Sequence, residues 1–184
     1  MDHKAELIAY IKEHSFQRSE TPVYKLSSGN LSTFYFNLKK TTYSPKGQYL
    51  VGNLVFDKMK ELRLRPRAIG GLTMGADPIA TATAYTSYIR NEPLEAMVIR
   101  KEPKGHGTMN QIEGNVEAGD DVIIIDDVVT TGGSTIKAVE AAKKAGLNII
   151  AVIILLDRGE FDGRQNIERL GYPVYSILTI KDFD

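Results

Sequence analysis

The chain has no cysteine, no tryptophan and three histidines in 184 residues. Without cysteine there is no disulfide, no thiolate metal site and no cysteine nucleophile. His3, His14 and His106 stand too far apart to show metal-ligand spacing. Net charge is missing too, since 23 Lys and Arg balance 23 Asp and Glu. That balance argues against nucleic acid held by bulk charge, while leaving room for a local cationic patch. The N-terminus has no signal-type apolar core, and no apolar run approaches membrane-spanning length. The expectation is a soluble cytoplasmic protein without a membrane partner. Internal repeats and low-complexity segments are also lacking. What is present, 42% hydrophobic and 25% charged residues, suits a single domain over residues 1–184 with a substantial core.

Apolar spacing divides the chain into alternating elements. "AELIAYIKEH" sets Leu7, Ile8 and Ile11 on one helical face, and "GQYLVGNLVFDKMKEL" repeats that spacing over a longer helix. Between them, residues 21–42 mix β-formers with a Ser-Ser-Gly turn and read as an extended pair. After Pro66 come the strand "RAIGG", the loop "LTMG" and the helix "PIATATAYTSYI", for which Asp77 is the expected N-cap and Pro78 the first-turn proline. "EAMVIR", "VIII", "IIAVIILL" and "YPVYSILTI" are strands; "TIKAVEAAKKAG" and "GRQNIERLG" are helices. Solid aliphatic strands between helices predict an α/β fold with a mostly parallel sheet covered on both faces. Ligands of such sheets bind beyond the carboxyl ends of the strands.

"VIIIDDVVTTGGST" lies at such an end. Strand Val122–Ile125 would carry Asp126 and Asp127 to the edge of the sheet. Paired carboxylates there can accept hydrogen bonds from a sugar diol, or help hold a divalent cation directly or through water. In the loop that follows, Gly132 and Gly133 expose backbone N–H groups at a helix N-terminus, and Thr130, Thr131, Ser134 and Thr135 add hydroxyls. A diol site beside an anion cup fits a phosphorylated ribose. The lysine of the GxxxxGK[ST] phosphate loop is absent, and no GxGxxG follows a strand.

This stretch resembles the phosphoribosyl-diphosphate signature of the type I phosphoribosyltransferases. Within that family, "RKEPKGHG" is similar to the catalytic-loop motif of orotate phosphoribosyltransferases, matching at Arg100, Lys101, Lys104 and His106. "LSSG" followed by "FYFN" resembles their N-terminal substrate segment, "GGLTMGADPIA" their diphosphate loop, and "LLDRGE" the strand end whose arginine faces orotate. Many members carry a lysine where this chain has Ser27, with Lys25 two positions upstream; some carry another at the Met74–Gly75 loop. The resemblance implies a type I phosphoribosyltransferase-like fold, a hood over residues 1–45 and a flexible catalytic loop over 101–119. It implies transfer of phosphoribosyl from 5-phospho-α-D-ribose 1-diphosphate (PRPP) to orotate, with Mg²⁺, in a homodimer whose catalytic loop serves the partner's site.

On the same resemblance, Lys104 and Asp127 are the catalytic residues. PRPP would be held by Arg100, Lys101, Lys104, His106, Asp126, Asp127, Val128, Val129, Thr130, Thr131, Gly132, Gly133 and Ser134. Orotate would meet Thr130 and Arg158, whose planar guanidinium can pair bidentately with a carboxylate. Tyr35 and Phe36 are further candidate contacts, although alternating aromatics also make core. For Mg²⁺ no direct protein ligand is certain, with Asp126 and Asp127 as candidates. The loop chemistry agrees: displacing diphosphate leaves an oxocarbenium-like centre and a leaving group gaining negative charge, which clustered cations stabilise. Two other readings stay open, a different acceptor base and a PRPP-binding regulator without turnover.

Overall fold

The computed structural model describes residues 2–25, 29, 31–102 and 111–184. Helix α1 (His3–His14) starts where the Asp2 carboxylate accepts from the Lys4 and Ala5 N–H groups, and it buries Leu7 and Ile11. Residues 16–36 form four short strands, more than the single extended pair expected for this region. β1 (Phe16–Arg18) pairs antiparallel with β4 (Phe34–Phe36), and β2 (Tyr24–Lys25) with β3 (Leu31–Ser32). A short helix α2 (Lys39–Thr42) then leads into α3 (Pro45–Glu61). Helix α3 starts two residues before the expected Gly47: Ser44 Oγ accepts from the Gly47 N–H, and Pro45 occupies the first turn, where no intrahelical N–H is needed.

The central sheet contains β5 (Ala68–Leu72), β6 (Glu95–Ile99), β7 (Ile112–Glu113), β8 (Asp121–Val129), β9 (Asn148–Asp157) and β10 (Val174–Thr179). Its spatial order is β10-β9-β8-β5-β6-β7, parallel throughout except for the β6–β7 pair. Helices α4 (Asp77–Ile89), α5 (Gly133–Lys144) and α6 (Gly163–Glu168) make the connections, and a 3₁₀ turn over Ile180–Phe183 ends the chain. Alternation along the buried strands divides the core by face. Ile123, Ile125, Ile153 and Leu155 pack with Leu50, Val51 and Val55 of α3, while Val122, Ile124, Val152 and Ile154 pack with Ala138, Val139 and Ala142 of α5. Each such aliphatic contributes roughly 1.5–3 kcal/mol by leaving water. Both faces are covered, as the aliphatic strands predicted.

From β5 the chain winds outward through β6 to β7, then crosses back to build β8, β9 and β10 on the other side. The order therefore reverses between β5 and β8. These two strands stay paired for three positions, Ala68↔Val122 to Gly70↔Ile124, whereas β8 follows β9 as far as Val129↔Asp157. Beyond Ile124 the sheet opens into a crevice at the reversal, the place where such folds bind ligands. Strand β8 is longer than the four residues expected: Asp126 and Asp127 belong to it, held in the ladder by β9. Two adjacent carboxylates tolerate a strand here because the β5 side of that ladder has already parted.

Candidate active site

The crevice is a cavity of about 500 Å³, walled by the ends of β5 and β8, the loops after them, and the hood. Alternation along β8 sends its two carboxylates in different directions. Asp126 is 5% exposed and turns to α5, accepting from Thr135 Oγ1 at 2.6 Å and from the Asp127 N–H at 3.0 Å. Burial, and secondly the charge of Asp127, push its carboxyl from 3.8 up to about 7. Asp127 turns to the other side, where Lys39 Nζ lies 3.6 Å from Oδ2. Gly75 packs so tightly on Asp127 that a Cβ there would overlap the carboxylate. Both aspartates line the cavity.

Beside them the chain turns into α5 without a side-chain cap. Gly132 takes the N-cap position at φ +82°, a conformation natural to glycine, and a Cβ there would lie 2.7 Å from the Gly163 carbonyl oxygen. A Cβ on Gly133 would meet nothing nearer than Thr131 Oγ1 at 3.8 Å, so the space over the helix start is open. Uncapped N–H groups at the positive end of a 12-residue helix form a ready anion cup, and Ser134 and Thr130 reach the same cavity. On the β5 side, the Thr73–Met74 peptide is cis, and Thr73 Oγ1 donates to Asp77 Oδ2 at 2.7 Å. Asp77 is thus the first residue of α4 and not its cap; Ala76 stands at the cap position with no side-chain hydrogen bond.

The hood side is built around Arg158, 3% exposed at the end of β9. Its Nε donates to Glu160 Oε2 at 2.8 Å, and Nη2 lies 2.8 Å from the same oxygen. Nη2 also donates to Ser32 Oγ and to the Phe34 carbonyl oxygen, both at 3.1 Å, while the guanidinium covers the Phe34 ring at 4.6 Å. Ser32 Oγ in turn donates to Glu160 Oε1 at 3.0 Å. Residues more than 120 positions apart are thereby tied together.

The phosphoribosyl transferase domain model matches residues 44–183. An orotate phosphoribosyltransferase of Aquifex aeolicus is 46% identical over 182 residues, covering 99% of this chain and 98% of the relative. The chain belongs to the phosphoribosyl transferase family. Among solved structures, the Mycobacterium tuberculosis orotate phosphoribosyltransferase in complex with Fe(III) dicitrate is 32% identical with a TM-score of 0.83, covering 98% of both chains. The complex of the Mycobacterium tuberculosis enzyme with PRPP is 30% identical with a TM-score of 0.79, again with 98% of both chains covered.

In this phosphoribosyl transferase, Lys101, Asp126, Asp127, Val128, Thr130, Ser134 and Arg158 all line the one cavity, along with Tyr35 and Phe36. Gly132 and Gly133 make its helix start, with Thr131 in the same turn and Val129 ending β8 just before it. Phe36 is mainly core, stacked 4.8 Å from Phe16 and meeting Phe183 edge-on at 5.0 Å, while Tyr35 is more open and stacks on Tyr24 at 5.9 Å. Arg100 sits apart from the lining and reaches Glu113 at 3.6 Å. Lys104, His106 and the "LSSG" residues Ser27 and Ser28 lie outside the described residues. Sequence reasoning missed Lys39 and Thr73. Lys39 looks like any surface lysine until the fold lays α2 against Asp127, and Thr73 acquires its role from the loop it turns in.

Proposed function

We propose that this protein is an orotate phosphoribosyltransferase, transferring phosphoribosyl from PRPP to orotate to give orotidine 5′-monophosphate and diphosphate in pyrimidine biosynthesis. The observation that carries the reading is the pairing of Asp126 and Asp127 with an uncapped, glycine-opened helix start at the sheet's reversal point. The anion cup of Gly132, Gly133 and Ser134 takes the 5′-phosphate, and the acidic pair takes the ribose hydroxyls. Full-length similarity to proteins named orotate phosphoribosyltransferase supports the choice of acceptor.

In the reaction the C1–O bond to diphosphate breaks and its electron pair leaves with diphosphate. A ring nitrogen of orotate forms the new C–N bond and gives up its proton. Asp127 lies where positive charge grows on the sugar, and Lys101, Lys104, His106 and Arg100 answer the negative charge growing on the leaving group. Arg100 is not among the residues lining this cavity and pairs with Glu113, which suits a loop that serves the partner's site in a homodimer. Closure of the 101–119 loop would exclude water, which otherwise consumes the activated sugar.

The donor set fits Mg²⁺ held mainly by substrate and water. No cluster of three or more His, Cys, Asp or Glu able to hold a metal exists among the described residues, and both Asp126 oxygens already accept hydrogen bonds. Asp127 is the carboxylate left to contribute, directly or through water, a pattern suited to an ion that keeps several of its waters. When bound, the ion supplies charge neutralisation on the diphosphate.

No helix among the described residues is long and apolar enough to cross a membrane, and we place the reaction in the cytoplasm. The test is diphosphate release in the presence of PRPP and Mg²⁺ with orotate, hypoxanthine or uracil as acceptor. Release with orotate alone supports the proposal; release with another base and not orotate overturns it.

A further inference from the structure

An arginine can clamp a carboxylate with two parallel N–H bonds when an edge of its guanidinium is open. On Arg158 those edges are spent. Glu160 takes Nε and Nη2, and Ser32 and Phe34 take the remaining capacity of Nη2. Only Nη1 has no hydrogen-bond partner among the described residues, and the Glu160 carboxylate already offsets the positive charge. Arg158 is thus equipped to latch the hood and to offer one nitrogen, Nη1 with its two N–H groups, to the base, such as to a ring carbonyl. It is poorly equipped to match a negative substituent.

A carboxylate brought into this cavity needs a cation that is not already paired. Four cationic residues line it: Lys25, Lys39, Lys101 and Arg158. Lys39 is committed to Asp127, and Arg158 to Glu160. Lys101 follows the end of β6 and is already assigned, in the proposed function, to the charge growing on the diphosphate. Lys25 is on the hood, directly after Tyr24; Tyr24 pairs with Ser32, the residue bonded to Arg158, and stacks on Tyr35. Lys25 makes no ion pair among the described residues.

We infer that Lys25 is the residue that recognises the carboxylate of the acceptor base, with Arg158 holding the hood strands over it. This rests on the proposed function and names the group that selects an anionic base. The test compares binding of orotate with binding of its neutral 6-carboxamide analogue, by calorimetry, in the unsubstituted protein and in Lys25→Met and Lys25→Arg. Lys25→Met should weaken orotate roughly tenfold to a hundredfold, the loss expected for a charge-assisted hydrogen bond. It should leave the carboxamide and PRPP within about twofold, and Lys25→Arg should restore most of the orotate affinity. An equal loss for both bases, no loss for orotate, or a loss falling on PRPP overturns the assignment. Thermal unfolding of each variant checks that this exposed residue leaves the fold intact. If the unsubstituted protein binds no orotate, the proposed function falls, and the role of Lys25 with it; if it binds orotate and Lys25→Met binds equally well, the role of Lys25 falls alone.

Discussion

Replacing Asp126 with asparagine should stabilise the folded protein, and do so increasingly as the pH rises. The unfolded carboxyl ionises near 3.8, whereas the folded one, buried beside Asp127, holds its proton up to about 7. Between these values the folded state binds more protons than the unfolded state, so stability falls as pH rises through the window and levels off above it. At 1.36 kcal/mol per tenfold, the full span corresponds to about 4 kcal/mol, of which about 2–3 kcal/mol lies between pH 5 and pH 8. Asparagine removes that dependence with little loss of hydrogen bonding. Its amide oxygen can accept from the Asp127 N–H, and its NH₂ can donate to Thr135 Oγ1, since a hydroxyl accepts as readily as it donates. Urea unfolding of both proteins at half-unit intervals from pH 5 to pH 8 measures the difference. A gap that widens with pH by about 2–3 kcal/mol is expected. A constant gap, or one that narrows, refutes the claim that burial holds the Asp126 proton. The same variant should lose activity, because the diol acceptor is weakened.

Other substitutions probe separate parts of the site. Gly75→Ala places a methyl against the Asp127 carboxylate; kcat/KM for PRPP should fall at least about tenfold, with Tm nearly unchanged, as steady-state kinetics and a thermal melt will show. Gly132→Ala forces an L side chain to φ +82° and a Cβ to 2.7 Å from the Gly163 carbonyl oxygen, so urea unfolding should register a loss of about 1–3 kcal/mol. Gly133→Ala, with nothing nearer than 3.8 Å, should fold as well as the parent or slightly better while binding PRPP more weakly. Lys104→Ala should lower kcat by about 10²–10³ with PRPP affinity mostly kept, in single-turnover and binding measurements respectively.

The sheet was legible because its strands are nearly pure aliphatic runs, and a run such as Val122–Ile125 has no amphipathic alternative. The acidic pair and glycine turn were legible for a related reason: two carboxylates and an exposed backbone make little sense inside a core. Strand ends were less so, since Asp126 and Asp127 remain in β8 through pairing with β9, a partner with no local signature. The strand pairing within the hood escaped for the same cause, as β1 and β4 meet across fifteen intervening residues. Most hidden was the state of Arg158. Its partner Glu160 is only two residues away, but Ser32 and Phe34 reach it from 126 and 124 positions away. Those contacts decide how many of its donors are left. Lys39 likewise acquires a role only through the fold.

The central claim is that the acidic pair and the anion cup together form a PRPP site serving orotate. Orotate depletion, followed by ultraviolet absorbance with PRPP, with and without Mg²⁺, tests it most directly. The account predicts depletion that requires both PRPP and Mg²⁺ and is strongly reduced in Asp127→Asn. Undiminished depletion in Asp127→Asn, or none at all in the unsubstituted protein, would contradict it.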